Sequence, residues 1–240
     1  MEGPAEMLRS GAEQLGLVID GTQTDKFLHY MEMLVCWNKK VNLTAITDRH
    51  EIITKHFLDS LTCAATGYVR SGVKAADIGT GAGFPGIPLK IVCPGLEITL
   101  LDSLNKRVEF LKHAVGELGL EGADPLHGRA EDVARNAAHR ERYDLCFSRA
   151  VAHLSVVGEY CLPFVKKDGT FLVMKGPGYL QEINEAGRAL QVLGGEIAQT
   201  KEFKLPFTDI IHYIIIIKKT RTTGSEYPRK AGRPTKYPLK

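Results

Sequence analysis

The sequence has 240 residues, of which 44% are hydrophobic and 25% are charged, as in an ordinary soluble globular protein. No apolar run approaches ~20 residues, which excludes a membrane-spanning helix, and the amino-terminal residues do not form an export signal. The five cysteines are scattered without a Cys-x-x-Cys pair, which argues against a zinc site and a disulfide framework. We therefore expect a cytoplasmic protein without a metal ion or membrane contact.

The pattern of apolar residues predicts helices in the first 70 residues of the chain. Apolar residues recur at spacings of three and four over residues 5–15, and again over residues 27–35. Asp48 resembles the start of a capping box for a third helix. The sequence therefore predicts an amino-terminal helical extension over residues 1–70.

After the helical extension, the pattern changes to alternating strands and helices over residues 71–219. Short apolar runs predict strands at 75–78, 97–101, 125–127, 144–148, 170–174, 197–203 and 213–218. Helices are predicted between them, at 87–91, 106–118, 132–139, 154–164 and 181–193. Such alternation predicts a doubly wound α/β sheet of mostly parallel strands, which binds its ligands at the carboxyl ends of the strands.

The end of the chain, residues 220–240, reads as an irregular tail with a strong positive charge. Residues 218–240 carry eight Lys or Arg and one acid, a net charge of +7, so the remaining chain has −4. A basic end on a mildly acidic body indicates a polyanionic partner. The alternative is a solvated, disordered tail, which is the commoner meaning of a charge run.

A glycine-rich stretch follows the first predicted strand: Asp77-Ile78-Gly79-Thr80-Gly81-Ala82-Gly83-Phe84-Pro85-Gly86. Glycine lets a ligand lie against bare backbone, and the following helix start favours a negative group. Gly81-x-Gly83-x-x-Gly86 matches the dinucleotide fingerprint, whereas Asp77 with the glycines resembles the first motif of S-adenosylmethionine (SAM) enzymes. A carboxylate repels a diphosphate but suits the SAM ammonium, so Asp77 favours SAM over NAD(P).

Three further positions fit an adenosine cofactor. Asp102 follows Gly83 by 19 residues and ends the second strand, where an acid can accept both ribose hydroxyls. Ala130 and Glu131 follow the third strand and would lie beside the ribose and adenine, although Glu131 could equally cap the next helix. Arg149, just past the fourth strand, would stand where the transferred methyl group emerges.

No general base stands out in the sequence. There is no Ser/His/Asp set at a nucleophile elbow and no cluster of metal ligands, so hydrolysis is poorly supported. Guanine N7 is an acceptor that carries a free lone pair and no proton, so it needs no base. Catalysis of its methylation would depend mainly on alignment of the reacting atoms.

These motifs resemble those of the bacterial RsmG (GidB) methyltransferases, which methylate guanine N7 in small-subunit ribosomal RNA. The resemblance covers nearly the whole chain. Besides the glycine-rich stretch, it rests on Asn42-Leu43-Thr44-Ala45, His56-Phe57-Leu58-Asp59-Ser60-Leu61, Leu101-Asp102-Ser103, Gly128-Arg129-Ala130-Glu131, Ser148-Arg149-Ala150-Val151-Ala152, Lys175-Gly176 and Pro228-Arg229-Lys230-Ala231-Gly232-Arg233-Pro234.

The resemblance implies the Rossmann-like fold of class I SAM-dependent methyltransferases, with an antiparallel last strand, and direct in-line transfer to guanine N7. The implied partner is 16S ribosomal RNA or a small-subunit assembly particle, and we expect a monomer. The SAM contacts would be Asp77, Gly79, Gly81, Gly83, Phe84, Asp102, Ser103, Leu104, Ala130, Glu131 and Arg149. Asn42, Arg149 and Lys175 would be catalytic, with Asp59 shaping the guanine pocket. RNA would contact His56, Arg229, Lys230, Arg233 and Lys236. An NAD(P)-dependent oxidoreductase and a non-catalytic RNA-binding module are the alternatives.

Overall fold

The computed structural model describes residues 3–149 and 152–239. Met1, Glu2, Ala150, Val151 and Lys240, which belong to the predicted helical extension, the Ser148–Ala152 motif and the basic tail, lie outside the described residues. The helices are α1 (Pro4–Gln14), α2 (Gly21–Val41), α3 (Arg49–Ile52), a π-helical turn (Ile53–Leu58), α4 (Asp59–Ala65), α5 (Gly86–Val92), α6 (Asn105–Glu117), α7 (Ala130–Val133), α8 (Leu154–Cys161), α9 (Tyr179–Val192) and α10 (Arg233–Lys236). The strands are β1 (Lys74–Ile78), β2 (Glu97–Asp102), β3 (Ala123–His127), β4 (Tyr143–Arg149), β5 (Val165–Lys175), β6 (Gly195–Lys204) and β7 (Ile211–Lys219).

The seven strands form one sheet in the order β3-β2-β1-β4-β5-β7-β6. The neighbours from β3 to β5 are parallel, and β7 is antiparallel to both β5 and β6. Ala75 and Ala76 of β1 belong to different apolar cores, because successive side chains of a strand point to opposite faces. The predicted doubly wound sheet with an antiparallel last strand is therefore confirmed.

The helical extension shares the core on one face of this sheet. Phe27 and Tyr30 of α2 are fully buried and contact Phe57 of the π-helical turn. The hydroxyl of Tyr30 donates to the carbonyl of Ala82 in the glycine-rich loop. The extension therefore packs directly on the loop that the sequence assigns to a ligand.

The third predicted helix contains a π-helical turn between α3 and α4. Asp48 accepts a hydrogen bond from the Glu51 N–H at 3.0 Å, which confirms the predicted cap. Single π-helical turns inside α-helices are frequent at functional sites. Here the turn carries His56, and α4 begins at Asp59 directly after it.

Several predicted boundaries are wrong. The helix predicted at 154–164 ends at Cys161, and the strand predicted at 170–174 begins at Val165. The helix predicted at 132–139 ends at Val133, and the Asn136 side chain accepts from the Ala138 N–H, a local bond that competes with helix formation. Strand β4 extends through Arg149, so this residue ends the strand rather than following it.

The tail is not irregular throughout but lies against the α/β domain. The Arg140 guanidinium donates to the carbonyls of Thr223, Gly224 and Tyr227 at 2.8–2.9 Å. The side chain of Lys219 is fully buried and donates to two carbonyls and to Thr223. Part of the basic charge that the sequence assigns to a solvated tail is therefore structural. No helix of the described ranges combines the length and apolarity needed to cross a bilayer.

Candidate active site

A first cleft of about 240 Å³ lies at the carboxyl ends of β1, β2 and β3. It brings together five of the residues predicted to contact an adenosine cofactor, with further residues that the sequence did not indicate. The lining residues are Ile78, Gly79, Leu101, Asp102, Ser103, Gly128, Arg129, Ala130, Glu131, Tyr160, Gly232 and Thr235.

The glycine-rich loop begins at this cleft and presents bare backbone. Gly81 has a φ of +62°, and, apart from its two chain neighbours, no atom of the described residues lies within 4 Å of the position that a Cβ would take. At Gly83, φ is +102°, and a Cβ would lie 2.5 Å from the Ile87 side chain and 2.8 Å from the Tyr30 hydroxyl. Gly81 therefore leaves space for a ligand, whereas Gly83 is required by the packing of α2 and α5 on the loop.

The side chain of Asp77 connects the two ends of the glycine-rich loop by hydrogen bonds. It is fully buried, and its Oδ2 accepts from the Thr80 hydroxyl at 2.6 Å and from the Gly86 N–H at 2.8 Å. Burial raises the pKa of this carboxyl to about 6. Its Oδ1 has no hydrogen-bond partner among the described residues. A buried acceptor of this kind fits a ligand that brings a cationic donor, such as an ammonium.

Asp102 connects the loop to the end of β2. Its two carboxylate oxygens accept from the N–H groups of Gly81 and Leu104, each at 2.9 Å. A carboxylate has about four acceptor positions, so Asp102 can still accept from ribose hydroxyls. Leu104 takes part through its backbone, and its side chain is 52% exposed.

The side chain of Glu131 bonds to the tail and does not cap a helix. Its buried carboxylate accepts from the N–H of Gly232 in the tail at 3.0 Å, and no side-chain bond caps α7 in the described part of the chain. The capping alternative is wrong, because the carboxylate is turned toward the tail. The predicted site residue therefore connects the first cleft to the end of the chain.

A second cleft lies at the carboxyl ends of β4 and β5, beside the start of the antiparallel β7. It is lined by Ile46, Lys55, His56, Asp59, Arg149, Ala152, Met174, Lys175, Gly176, Glu182, Ile210 and His212. Phe84, in the glycine-rich loop, lies behind two residues of this cleft. The His56 ring stacks on Phe84 with centroids 4.4 Å apart, and the Arg149 guanidinium lies 4.9 Å from the Phe84 ring. The loop therefore separates the two clefts.

Arg149 and His56 form the wall between the loop and the second cleft. The Arg149 guanidinium donates to the Lys55 carbonyl at 3.2 Å and lies 3.2 Å from His56 Nδ1. Because arginine only donates, this nitrogen is unprotonated, and Nε2–H donates to the Thr44 hydroxyl at 2.8 Å. Burial and the neighbouring Arg149 lower the pKa of His56 to about 3. His56 is therefore a neutral side chain that holds its neighbours in place.

Each cation of the second cleft is paired with a carboxylate: Lys55 with Glu51, Arg149 with Asp59 and Lys175 with Glu182. Asp59 accepts from Arg149 at 3.0 Å and lies 2.7 Å from His212 Nδ1. Lys175 donates to Glu182 at 2.6 Å and to the Ala152 carbonyl at 2.5 Å. His212 and Glu182 were not predicted as site residues. His212 has a signal, since it interrupts the apolar run of β7, whereas Glu182 has none.

The remaining predicted site residues lie outside both clefts. Asn42 is not among the described residues that line either cleft; it is exposed, with a φ of +50°, and forms the carboxyl-terminal cap of α2. Asn tolerates this left-handed conformation better than most residues. Lys230, Arg233 and Lys236 are exposed, but Arg229 is paired with the buried Glu159 at 2.6 Å.

Residues 23–211 match a family model described as "GidB: rRNA small subunit methyltransferase G". A protein of Alkaliphilus metalliredigens named "Ribosomal RNA small subunit methyltransferase G" is 51% identical over 98% of both chains. A protein with the same name from Halalkalibacterium halodurans is 48% identical over 96% of this chain and 97% of its own. A solved structure described as a SAM-dependent methyltransferase from Aquifex aeolicus has a TM-score of 0.53 and 19% identity, covering 73% of this chain and 96% of that chain. The chain therefore belongs to the GidB family of small-subunit rRNA methyltransferases and has the class I SAM-dependent methyltransferase fold.

Proposed function

We propose that this methyltransferase transfers the methyl group of SAM to N7 of a guanine in 16S ribosomal RNA, either free or within an assembling small subunit. One observation carries the proposal. Two clefts at the carboxyl edge of one sheet meet at a bare-backbone loop, with Arg149 and Phe84 between them. One cleft fits an adenosine cofactor, and the other, the larger of the two, contains paired cations. The names of the relatives supply the class of RNA.

The first cleft has residues suited to each part of SAM. In the glycine-rich loop beside the cleft, the buried and unpartnered Oδ1 of Asp77 fits the ammonium once it becomes accessible, and the backbone at Gly81 leaves room for the methionine part. In the cleft itself, Asp102 can accept from the ribose. Ala130 and Glu131 lie at the adenine end of the cleft. When bound, SAM supplies a methyl group on a positively charged sulfur, which is activated for transfer to a nucleophile. NAD(P) fits less well, because its diphosphate would lie beside the two carboxylates.

In the second cleft, the residues position the guanine rather than remove a proton from it. Guanine N7 has a lone pair and no proton, and His56, with a pKa of about 3, is no base at neutral pH. Lys175 uses two of its three donors within the protein, so one is left for guanine O6 or a phosphate. Asp59 and Glu182 pair with Arg149 and Lys175, so less positive charge in the cleft opposes the positive charge that the ring acquires. Catalysis would then depend on orientation.

The test is methyl transfer to ribosomal RNA from cells that lack the gene. The protein is incubated with labelled SAM and either free 16S RNA or intact small subunits, and the modified nucleotide is identified by mass mapping. We expect label at N7 of one guanine. Label at another atom, or in large-subunit RNA only, would contradict the proposal. Calorimetry with SAM and NAD in parallel tests the cofactor, and tighter binding of NAD would be equally decisive.

We further propose that the chain acts in the cytoplasm as a monomer, because both clefts are built from residues of one chain. Residues 1–70 would then serve as the extension that supports the loop, residues 71–219 as the methyltransferase domain, and residues 220–240 as the basic tail. Light scattering at working concentration tests the monomer. A stable dimer that loses activity on dilution would contradict it.

A further inference from the structure

In the tail segment 229–236, residues with the same environment recur every third position. One set makes hydrogen bonds to the α/β domain, although Gly232 and Thr235 of this set are also accessible to solvent, and the set one position later is exposed. The inward set is Arg229, Gly232 and Thr235, and the outward set is Lys230, Arg233 and Lys236.

The inward set begins with a buried ion pair. The guanidinium and backbone N–H of Arg229 donate to the Glu159 carboxylate over 2.6–3.1 Å, and Glu159 is fully inaccessible to solvent. A carboxylate without its partner at this depth would be strongly unfavourable. The pair therefore fixes the place where the tail crosses α8.

Beyond that anchor, the tail becomes a wall of the first cleft. The N–H of Gly232 donates to Glu131 at 3.0 Å, and the hydroxyls of Thr235 and Tyr160 lie 2.8 Å apart. These four residues line the cleft together with Asp102. The cleft is thus closed on one side by residues more than 100 positions later in the chain than Glu131.

The hydroxyl pair has capacity left for a ligand. A hydroxyl group can donate once and accept twice, and the Thr235–Tyr160 bond uses one donor and one acceptor. One donor and several acceptor positions remain at the cleft. The edge of adenine presents an amino donor beside a ring-nitrogen acceptor, which this pair can match. Asp102, at the ribose position, borders the same cleft.

We propose that Thr235 and Tyr160 bind the adenine end of the cofactor, so that the tail is a part of the SAM site. The inference rests on SAM being the cofactor, as proposed above. The outward set of the same segment provides three cations that can bind RNA. The cofactor and the RNA then bind to different faces of the segment. Any ligand that orders the segment favours the other ligand, and this coupling is reciprocal.

The experiment compares SAM binding to the full-length wild type and to Thr235→Val, which keeps the shape and removes the hydroxyl. Thr222→Val is the matched control, because Thr222 lies on the same tail, exposed, and outside both clefts. Tyr160→Phe is the second test variant. We expect both test variants to raise the Kd by about threefold to tenfold, as for one lost hydrogen bond, and the control to leave it unchanged.

A second measurement needs no variant. Amide hydrogen exchange of residues 229–237 is recorded with and without SAM, and we expect SAM to slow it. Unchanged affinity in Thr235→Val and Tyr160→Phe, together with unchanged exchange, would overturn the role of the tail while leaving the cofactor assignment intact. Failure of the wild type to bind SAM would overturn both.

Discussion

The Arg149 guanidinium and the Asp59 carboxylate lie 3.0 Å apart and join the last residue of β4 to the first residue of α4. Each also holds a histidine, since Arg149 contacts His56 and Asp59 contacts His212. Four residues from the π-helical turn, α4, β4 and β7 thus form one network beside the glycine-rich loop. The geometry of the second cleft depends on this network.

We therefore expect Asp59→Asn to lower methyl transfer roughly tenfold to hundredfold, since small displacements of a positioned group have effects of this size. The free energy of unfolding should fall by about 3–5 kcal/mol, because Arg149 would keep a largely buried charge without its partner. Transfer kinetics and urea unfolding measure the two effects. Glu32→Gln, which breaks the exposed pair with Arg49, is the control and should cost less than ~1 kcal/mol. Equal effects of the two substitutions would show that the Asp59 network is unimportant.

The lowered pKa of His56 predicts a pH dependence of stability. Below pH 6.5 the unfolded chain protonates this histidine, whereas the folded protein keeps it neutral down to about pH 3. The unfolded state then binds more protons, so stability falls as the pH falls through this window. Relative to His56→Gln, the wild type should lose on the order of 2 kcal/mol between pH 7 and pH 5. Urea unfolding at both pH values measures this difference, and a constant difference would contradict the prediction.

The two loop glycines should respond differently to alanine. At Gly83 the added Cβ meets Ile87 and Tyr30, so Gly83→Ala should destabilise the fold by about 1–3 kcal/mol. At Gly81 the Cβ enters open space, so Gly81→Ala should cost only about 1 kcal/mol of backbone strain. Because that space is the proposed SAM site, Gly81→Ala should weaken SAM binding more than tenfold. Thermal melting and calorimetry separate the effects, and full SAM affinity in Gly81→Ala would place the cofactor elsewhere.

The tail should contain two functionally different kinds of basic residue. Replacing Lys230, Arg233 and Lys236 together by Gln should weaken RNA binding and reduce the slope of log K against log salt by about 2 to 3, without loss of stability. Arg229→Gln is the matched comparison, and it should instead destabilise the fold, because Glu159 loses its partner. Filter binding across a salt series and thermal melting give both readouts. The reverse pattern would assign Arg229 to RNA, as the sequence analysis predicted.

Local sequence patterns were sufficient for most of the fold and for the part of the first cleft that lies at the strand ends. The alternation of apolar runs has periods of two and 3.6 residues, which a strand or helix expresses without reference to the rest of the chain. The glycine-rich loop, Asp77 and Asp102 are recognised in the same way, because each lies at a fixed distance from the end of its own strand. The seven strands and the resemblance to the GidB family followed from such patterns and are confirmed.

The tertiary structure alone decided which distant residues meet. Asp59 and His212 are 153 positions apart, and Glu131 and Gly232 are 101 apart, so no local spacing connects them. Their contacts depend on strand order and on how the tail crosses α8, which the packing of the whole chain determines. For the same reason the sequence could not distinguish Arg229, which is neutralised by a buried acid, from Lys230, which faces solvent. The residue type determines whether a side chain is charged, whereas the fold determines which group it pairs with.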